Sequence, residues 1–175
     1  MCLFGDGTTN LGNFYEGLNI AALWNLPIVF VCNNNVYGMG TRYDETCKTE
    51  IYRKAEMFNI NSTHLDGNNV EDIYQKMKDI VFTVKNDHGP AFIEMRTYRI
   101  WGHSAFDNRP YRTKQEIESW QDKDPIANVE NKLILRNVDR KTIDSIKEKI
   151  KETVLAAEKF ALESKYPEYD ENLEQ

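Results

Sequence analysis

Apolar and polar positions along the 175-residue chain change period several times, and each change marks an element. Met1-Cys2-Leu3-Phe4 reads as the end of a buried strand with nothing before it, so the chain is expected to be truncated or split at its start. After Gly5-Asp6-Gly7 and a polar loop, Phe14, Leu18, Ala21 and Ala22 recur at helical spacing up to Trp24. Leu26-Pro27 ends that helix. Ile28 to Cys32 is apolar without alternation, as in a parallel strand covered on both faces, and three amides, Asn33-Asn34-Asn35, are expected to stop it. A short helix over Ile51 to Phe58, a strand over Thr63 to Leu65, a helix over Val70 to Val84 and a strand over Ala91 to Met95 follow. Val70, Ile73, Met77 and Ile80 share one face of the longer helix.

This alternation predicts an α/β fold, a doubly wound and mostly parallel sheet whose ligands sit at the carboxyl ends of its strands. Residues 99–112 match neither period 2 nor period 3.6, which predicts a long loop after a strand, of the kind that carries function. With so little apolar patterning, its order is expected to come from outside, and Arg109 and Arg112 read as accessible trypsin sites. Helices then start at Thr113, with Glu116 completing a capping box, and at Asp124-Pro125. A last helix from about Asp139 to Leu162 carries Ile143, Ile146, Ile150, Val154, Ala157 and Phe160 as an expected buried stripe, and an acidic tail from Glu163 reads as a solvated end. The organisation expected is an α/β domain over 1–112, with an active-site loop at 99–112, and a helical C-terminal region of the same domain over 113–175.

Composition narrows the function classes. The 22 Lys and Arg against 28 Asp and Glu leave a net charge of −6, which argues against a phosphate-backbone binder, so no nucleic acid is expected. The longest apolar run, Leu26 to Cys32, is far below the roughly 20 residues of a membrane span, so no membrane is expected either. Cys2, Cys32 and Cys47 form no C-x-x-C pair and read as reduced, mostly buried thiols, which points to an intracellular compartment. Of the three histidines, His64 and His88 read as surface or structural residues, while His103, between Gly102 and Ser104 in the long loop, is a functional candidate.

The informative constellation is Gly5-Asp6-Gly7, then 26 residues, then Asn34-Asn35. Glycines around a carboxylate let the backbone approach a bulky anion, and the helix start at Gly12 offers N–H donors to phosphate. Asp6 supplies a hard anionic oxygen, the Asn35 amide a neutral one, and a carbonyl in Asn35-Val36-Tyr37 a third. With phosphate oxygens and water these complete the octahedron that Mg²⁺ demands, so the site reads as diphosphate held through magnesium. A dinucleotide fingerprint fails at its third glycine, where Asn10 stands, and there is no Walker P-loop.

At this spacing the two motifs match the thiamine diphosphate signature. The run Gly5-Asp6-Gly7-Thr8-Thr9-Asn10, Glu16, Asn19, Ala21-Ala22-Leu23-Trp24, Leu26-Pro27, Asn34-Asn35, Tyr37-Gly38-Met39-Gly40-Thr41 resembles the E1 alpha subunit of the thiamine-dependent 2-oxo acid dehydrogenases. Thr97-Tyr98-Arg99, Gly102-His103-Ser104, Asp107, Tyr111-Arg112, Trp120 and Asp124-Pro125-Ile126 continue it in order, over the C-terminal half of the family's subunit only. The resemblance implies that Asp6 and Asn35 ligate magnesium by side chain and Tyr37 by its carbonyl, and that Gly7 and Thr8 touch the diphosphate. It implies that His103 contacts the cofactor phosphate and lines the channel of the lipoyl arm, and that Ser104 matches a serine phosphorylated in mitochondrial enzymes.

The implied activity is oxidative decarboxylation of a 2-oxo acid, pyruvate favoured, with the acyl unit passed to lipoamide. A beta-type subunit would hold the aminopyrimidine and the activating glutamate, giving a heterotetramer that serves a lipoyl-bearing E2 acyltransferase. The compartment would be cytoplasmic in a bacterium and the mitochondrial matrix in a eukaryote. Acetoin and branched-chain 2-oxo acids are the alternative substrates, a split transketolase-type chain is a second enzyme reading, and a non-catalytic partner-binding module is the rival of another class. Three departures from the family pattern bear on substrate and kinase control: Trp101 stands where mitochondrial pyruvate enzymes have histidine, Asn108 replaces a proline, and the loop to Tyr111 is one residue shorter.

Overall fold

A computed structural model describes residues 1–86 and 89–168. His88 lies outside the described residues, as does the end of the acidic tail. The chain divides into two compact units, Met1–Asn128 and Val129–Gln175.

The first unit is built on a four-stranded parallel sheet of β1 (Cys2–Gly5), β2 (Val29–Asn34), β5 (Asn61–Asp66) and β6 (Ala91–Arg96), in the order β1-β2-β6-β5. Its register sets Gly5 beside Asn33, Cys32 beside Glu94 and Asn34 beside Arg96. Because side chains alternate along a strand, the sheet offers one apolar set to each side. On one side Cys32 and Phe92 pack with Phe14 and Leu18 of α1 (Gly12–Leu23) and with Ile51, Ala55 and Ile60 around the single turn of α3 (Arg53–Glu56). On the other, Val29, Val31, Ala91, Ile93 and Leu65 meet Ile73, Met77, Ile80 and Val84 of α4 (Val70–Lys85). Helices on both faces of a parallel sheet are the doubly wound α/β class expected from the pattern.

Several boundaries differ from expectation for local reasons. The segment after β1 is a 3₁₀ helix over Asp6–Asn10 rather than an open loop, closed by Thr9 Oγ1 donating to the Asp6 carbonyl at 2.8 Å. The amides do not stop β2: Asn33 and Asn34 stay in the ladder, and Asn34 is buried because Glu94 accepts its side-chain N–H. A two-stranded hairpin, β3 (Tyr37–Gly38) with β4 (Thr41–Arg42), and the short α2 (Tyr43–Thr46) follow where periodicity had no signal. Only Cys32 of the three cysteines is buried, whereas Cys2 is exposed and Cys47 half-buried.

Further along, α5 (Lys114–Gln121) starts at the Thr113 cap, whose hydroxyl accepts from Glu116 N at 3.1 Å. Asp124 caps α6 (Pro125–Leu135) by accepting from the N–H groups of Ile126 and Ala127. In the second unit, α7 (Arg140–Glu163) starts at Asp139, as its cap predicts. Of its apolar stripe only Ile143 is buried. Ile146, Ile150, Val154, Ala157 and Phe160 lie on the surface, since a helical period identifies a face and not what covers it. Among the described residues no helix is long and apolar enough to cross a membrane.

Candidate functional site

The adjacent carboxyl ends of β1 and β2 bring the two motifs together. Asp6 is 4 % exposed at the head of the 3₁₀ helix, and its carboxylate accepts from its own backbone N–H and from that of Asn35. Burial pushes this carboxyl above its ordinary value, against the pull of those donors and of the Arg99 charge. Gly38 lies against it: a Cβ there would stand 3.7 Å from Asp6 Oδ2 and 3.7 Å from Gly7 Cα, filling the space beside the carboxylate.

The turn joining β2 to β3 carries the other two oxygens. Asn35 Oδ1 accepts from Tyr37 N at 3.2 Å, and Asn34 Oδ1 accepts from Val36 N at 3.1 Å. Between them Val36 has φ +77°, a left-handed conformation that a β-branched residue rarely adopts. The Tyr37 carbonyl accepts from the Arg99 guanidinium at 3.1 Å. A carbonyl or amide oxygen has a second lone pair, so both acceptors retain capacity for a cation. Tyr37 itself is 2 % exposed, its hydroxyl donating to Glu116 at 2.9 Å and accepting from Arg42 at 3.2 Å.

One buried carboxylate after β1, with one amide oxygen and one backbone carbonyl in the turn after β2, are hard, mostly neutral donors, a set of the kind that suits Mg²⁺ with an anionic ligand. No cluster of three or more His, Cys, Asp or Glu side chains suited to a metal occurs among the described residues, so the soft-metal alternatives lack a donor set there. Gly7 is exposed and Thr8 half-buried on the 3₁₀ turn beside Asp6, and the Thr8 carbonyl is used by Leu11 N.

The loop over 99–112 is ordered from within, which corrects the expectation that its order must come from outside. Arg112, 8 % exposed, sends its guanidinium to the carbonyls of Arg99, Ile100 (3.0 Å) and Trp101 (2.7 Å) and lies over the rings of Tyr37, Tyr98 and Tyr111. It is no accessible trypsin site. Asp107 accepts from the backbone N–H groups of His103 and Arg109, both at 2.8 Å, and from the Tyr111 hydroxyl. The Tyr111 hydroxyl also accepts from Arg99 at 2.9 Å, so Arg99 joins the loop to the Tyr37 carbonyl. His103 and Ser104 are exposed, and among the described residues no hydrogen bond joins the His103 imidazole to Asp6, Asn35 or Tyr37. His64 is exposed, with its ring 5.1 Å from that of Tyr52, as a surface histidine should be.

The family described as dehydrogenase E1 component matches residues 1–170. The chain belongs to the dehydrogenase E1 component family. Its relatives include the alpha subunit of acetoin:2,6-dichlorophenolindophenol oxidoreductase of Bacillus subtilis, 38 % identical over 99 % of this chain and 52 % of the relative. The pyruvate dehydrogenase E1 component subunit alpha of Rickettsia bellii is 37 % identical over 95 % of this chain and 52 % of its own length. A chloroplastic pyruvate dehydrogenase E1 alpha of Oryza sativa is 36 % identical over 99 % of this chain and 41 % of its own. The chain thus spans about half the length of the first two of these relatives and less of the third.

Two supporting residues of the candidate site escaped sequence reading. Lys54, 5 % exposed, donates to Thr9 O at 2.8 Å, Thr9 Oγ1 at 3.1 Å and Asn10 Oδ1 at 3.1 Å, tying down the turn that carries Asp6. Glu94 is fully buried under Asn34. Glu94 had a visible signal, a lone charge inside an apolar parallel strand; Lys54, in a polar stretch, had none.

Proposed function

We propose that the chain binds thiamine diphosphate through Mg²⁺ and acts as the alpha part of a 2-oxo acid dehydrogenase E1 component. Asp6, the Asn35 side chain and the Tyr37 carbonyl would hold the metal, Gly7 and Thr8 would meet the diphosphate, and His103 would meet a phosphate oxygen from its exposed loop. The observation that carries this reading is the buried Asp6 carboxylate with Asn35 donating to it, at neighbouring strand ends beside Gly38. A buried carboxylate without an ion partner is costly, and a divalent cation removes that cost. Bound thiamine diphosphate would supply the nucleophilic carbon and electron sink that 2-oxo acid decarboxylation needs.

This chain's own share is binding, orientation and the shielding of Asp6 from water. No residue of the site is offered as the base that activates the cofactor, so turnover requires a beta-type subunit, and the acyl unit would leave on a lipoyl-bearing E2 acyltransferase. Pyruvate is the leading substrate and acetoin the next, since relatives carry both names. Ser104, exposed beside His103, is a candidate for phosphorylation.

Calorimetry tests the metal assignment. Thiamine diphosphate should bind only with Mg²⁺ present, and Asp6→Ala should remove that binding; equal affinity of the Asp6→Ala chain would overturn it. Carbon dioxide released from pyruvate by the chain without a partner would overturn the division of labour.

A further inference from the structure

Glu94 sits in β6 with no exposed surface, on the face it shares with Phe92 and Arg96, and among the described residues its carboxylate is surrounded by donors. Asn34 Nδ2 donates to Oε1 at 2.8 Å, Arg96 Nε to the same oxygen at 3.2 Å, and the Tyr52 backbone N–H to Oε2 at 3.1 Å. The two ends of an asparagine amide have nearly the same shape, so only the chemistry of its neighbours decides which end points where. A carboxylate can only accept. It therefore draws the NH₂ end of Asn34 and leaves Oδ1 facing the other way, where it accepts from Val36 N at 3.1 Å.

That last bond falls on the strained residue of the site. Val36 stands at φ +77° between Asn35, whose backbone N–H reaches the Asp6 carboxylate, and Tyr37, the two residues proposed to give the other metal oxygens. Its carbonyl is held separately by Tyr43 N at 2.9 Å. A backbone conformation so unfavourable for valine persists only where its surroundings impose it. Releasing the Val36 N–H would let φ relax and swing both oxygens with it.

We infer that Glu94 is a positioning residue for the metal and diphosphate site, fixing the Asn34 amide so that Val36 stays left-handed and the Asn35 and Tyr37 oxygens converge. The inference rests on the proposed roles of Asp6, Asn35 and Tyr37. Glu94 is not offered as a ligand: it acts on the turn through Asn34.

Glu94→Leu keeps much of the volume and removes both acceptor oxygens, so the Asn34 amide loses the partner that orients it; Glu94→Gln would not serve, because Asn34 and Arg96 share Oε1 and the glutamine oxygen can stay there. Two readouts separate the inference from the reading beneath it. In the cofactor-free chain, amide hydrogen exchange at Val36 should accelerate about tenfold in Glu94→Leu, the value of one hydrogen bond. In calorimetry with saturating Mg²⁺, thiamine diphosphate should bind about tenfold more weakly, and Val36→Gly, which makes the positive φ free, should restore most of that loss in the double variant. Unchanged Val36 exchange overturns the inference, as does a loss of affinity that Val36→Gly leaves in place, which is the mark of a residue needed only for folding. Wild-type affinity in Glu94→Leu beside abolished binding in Asp6→Ala also overturns it, with the site reading intact. Full binding in Asp6→Ala overturns the site reading instead, and Val36 exchange then still decides whether Glu94 holds the turn. If Glu94→Leu does not fold, Asn34→Ala cuts the same link nearer the turn and is read by the same two measurements.

Discussion

Asp107 holds His103 by the backbone and not by the ring: its carboxylate accepts the His103 N–H at 2.8 Å and leaves the imidazole exposed to solvent. The loop is therefore built to present that side chain.

The first prediction concerns the pH at which this presentation fails. The Tyr111 hydroxyl, and then the His103 and Arg109 N–H groups, hold the Asp107 carboxyl down at about 2 from an ordinary 3.8. A depressed carboxyl pKa stabilises the folded loop above the unfolded value, and that contribution is lost as pH falls from 3.8 through about 2. Amide exchange at His103 and Arg109 should stay slow down to pH 4, after correction for intrinsic rates, and quicken below it. Asp107→Asn should be several-fold faster already at pH 7; identical exchange in variant and wild type would refute the anchoring role.

Arg112→Lys should loosen the same loop from its other end. A lysine carries the charge but not the planar fork that reaches three carbonyls at once. The expected cost is about 2 kcal/mol in urea unfolding, the scale of hydrogen bonds to a charged group. Limited trypsinolysis should spare residue 112 in the folded wild-type chain and cut within 99–112 in the variant. Rapid native cleavage after Arg112 in the wild type would contradict its burial.

Lys54→Met retains an apolar stem of similar length but strands three buried or half-buried acceptors, Thr9 O, Thr9 Oγ1 and Asn10 Oδ1. Stability should fall by about 2 kcal/mol. Because Thr9 Oγ1 also closes the turn onto the Asp6 carbonyl, Mg²⁺-dependent thiamine diphosphate binding should weaken as well. Wild-type urea midpoint and affinity together would show that the turn holds without Lys54.

Thiol chemistry offers a test of the core that needs no mutation. Burial drives the Cys32 thiol far above the usual range, while Cys2 is exposed at the start of β1. Iodoacetamide at pH 8 should alkylate Cys2 in the native chain and reach Cys32 only after unfolding, as read by peptide mass spectrometry. Native labelling of Cys32 would mean that the α1 face of the sheet opens readily.

The parallel sheet was legible because it is covered on both sides, so Val29–Cys32 and Ala91–Ile93 are apolar without interruption. The proximity of Asp6 and Asn35 was legible because Gly5-Asp6-Gly7 and Asn34-Asn35 fall at the ends of consecutive strands, whereas each motif alone reads as an ordinary turn. What stayed hidden was everything decided by pairing. Asn34 reads as a loop former until Glu94 is beside it, and residues 99–112 read as unanchored until Arg112 folds back over their carbonyls. The α7 stripe was legible as a face, but Ile146, Ile150 and Val154 are exposed because periodicity says nothing of a partner.

The β1-β2-β6-β5 strand order also has a kinetic meaning. Asn34 and Glu94 are sixty residues apart in the chain, and the β2–β6 ladder that joins them closes a loop that includes β5 and α4. Closing so long a loop is entropically slow, and parallel pairings of this kind form late. The Asp6 turn, α1 and β2 precede β6 in the chain, so the partner that orients Asn34 is always made after them. The left-handed turn depends on a contact from β6, so the geometry of the site is a product of the assembled sheet and not carried by either motif alone.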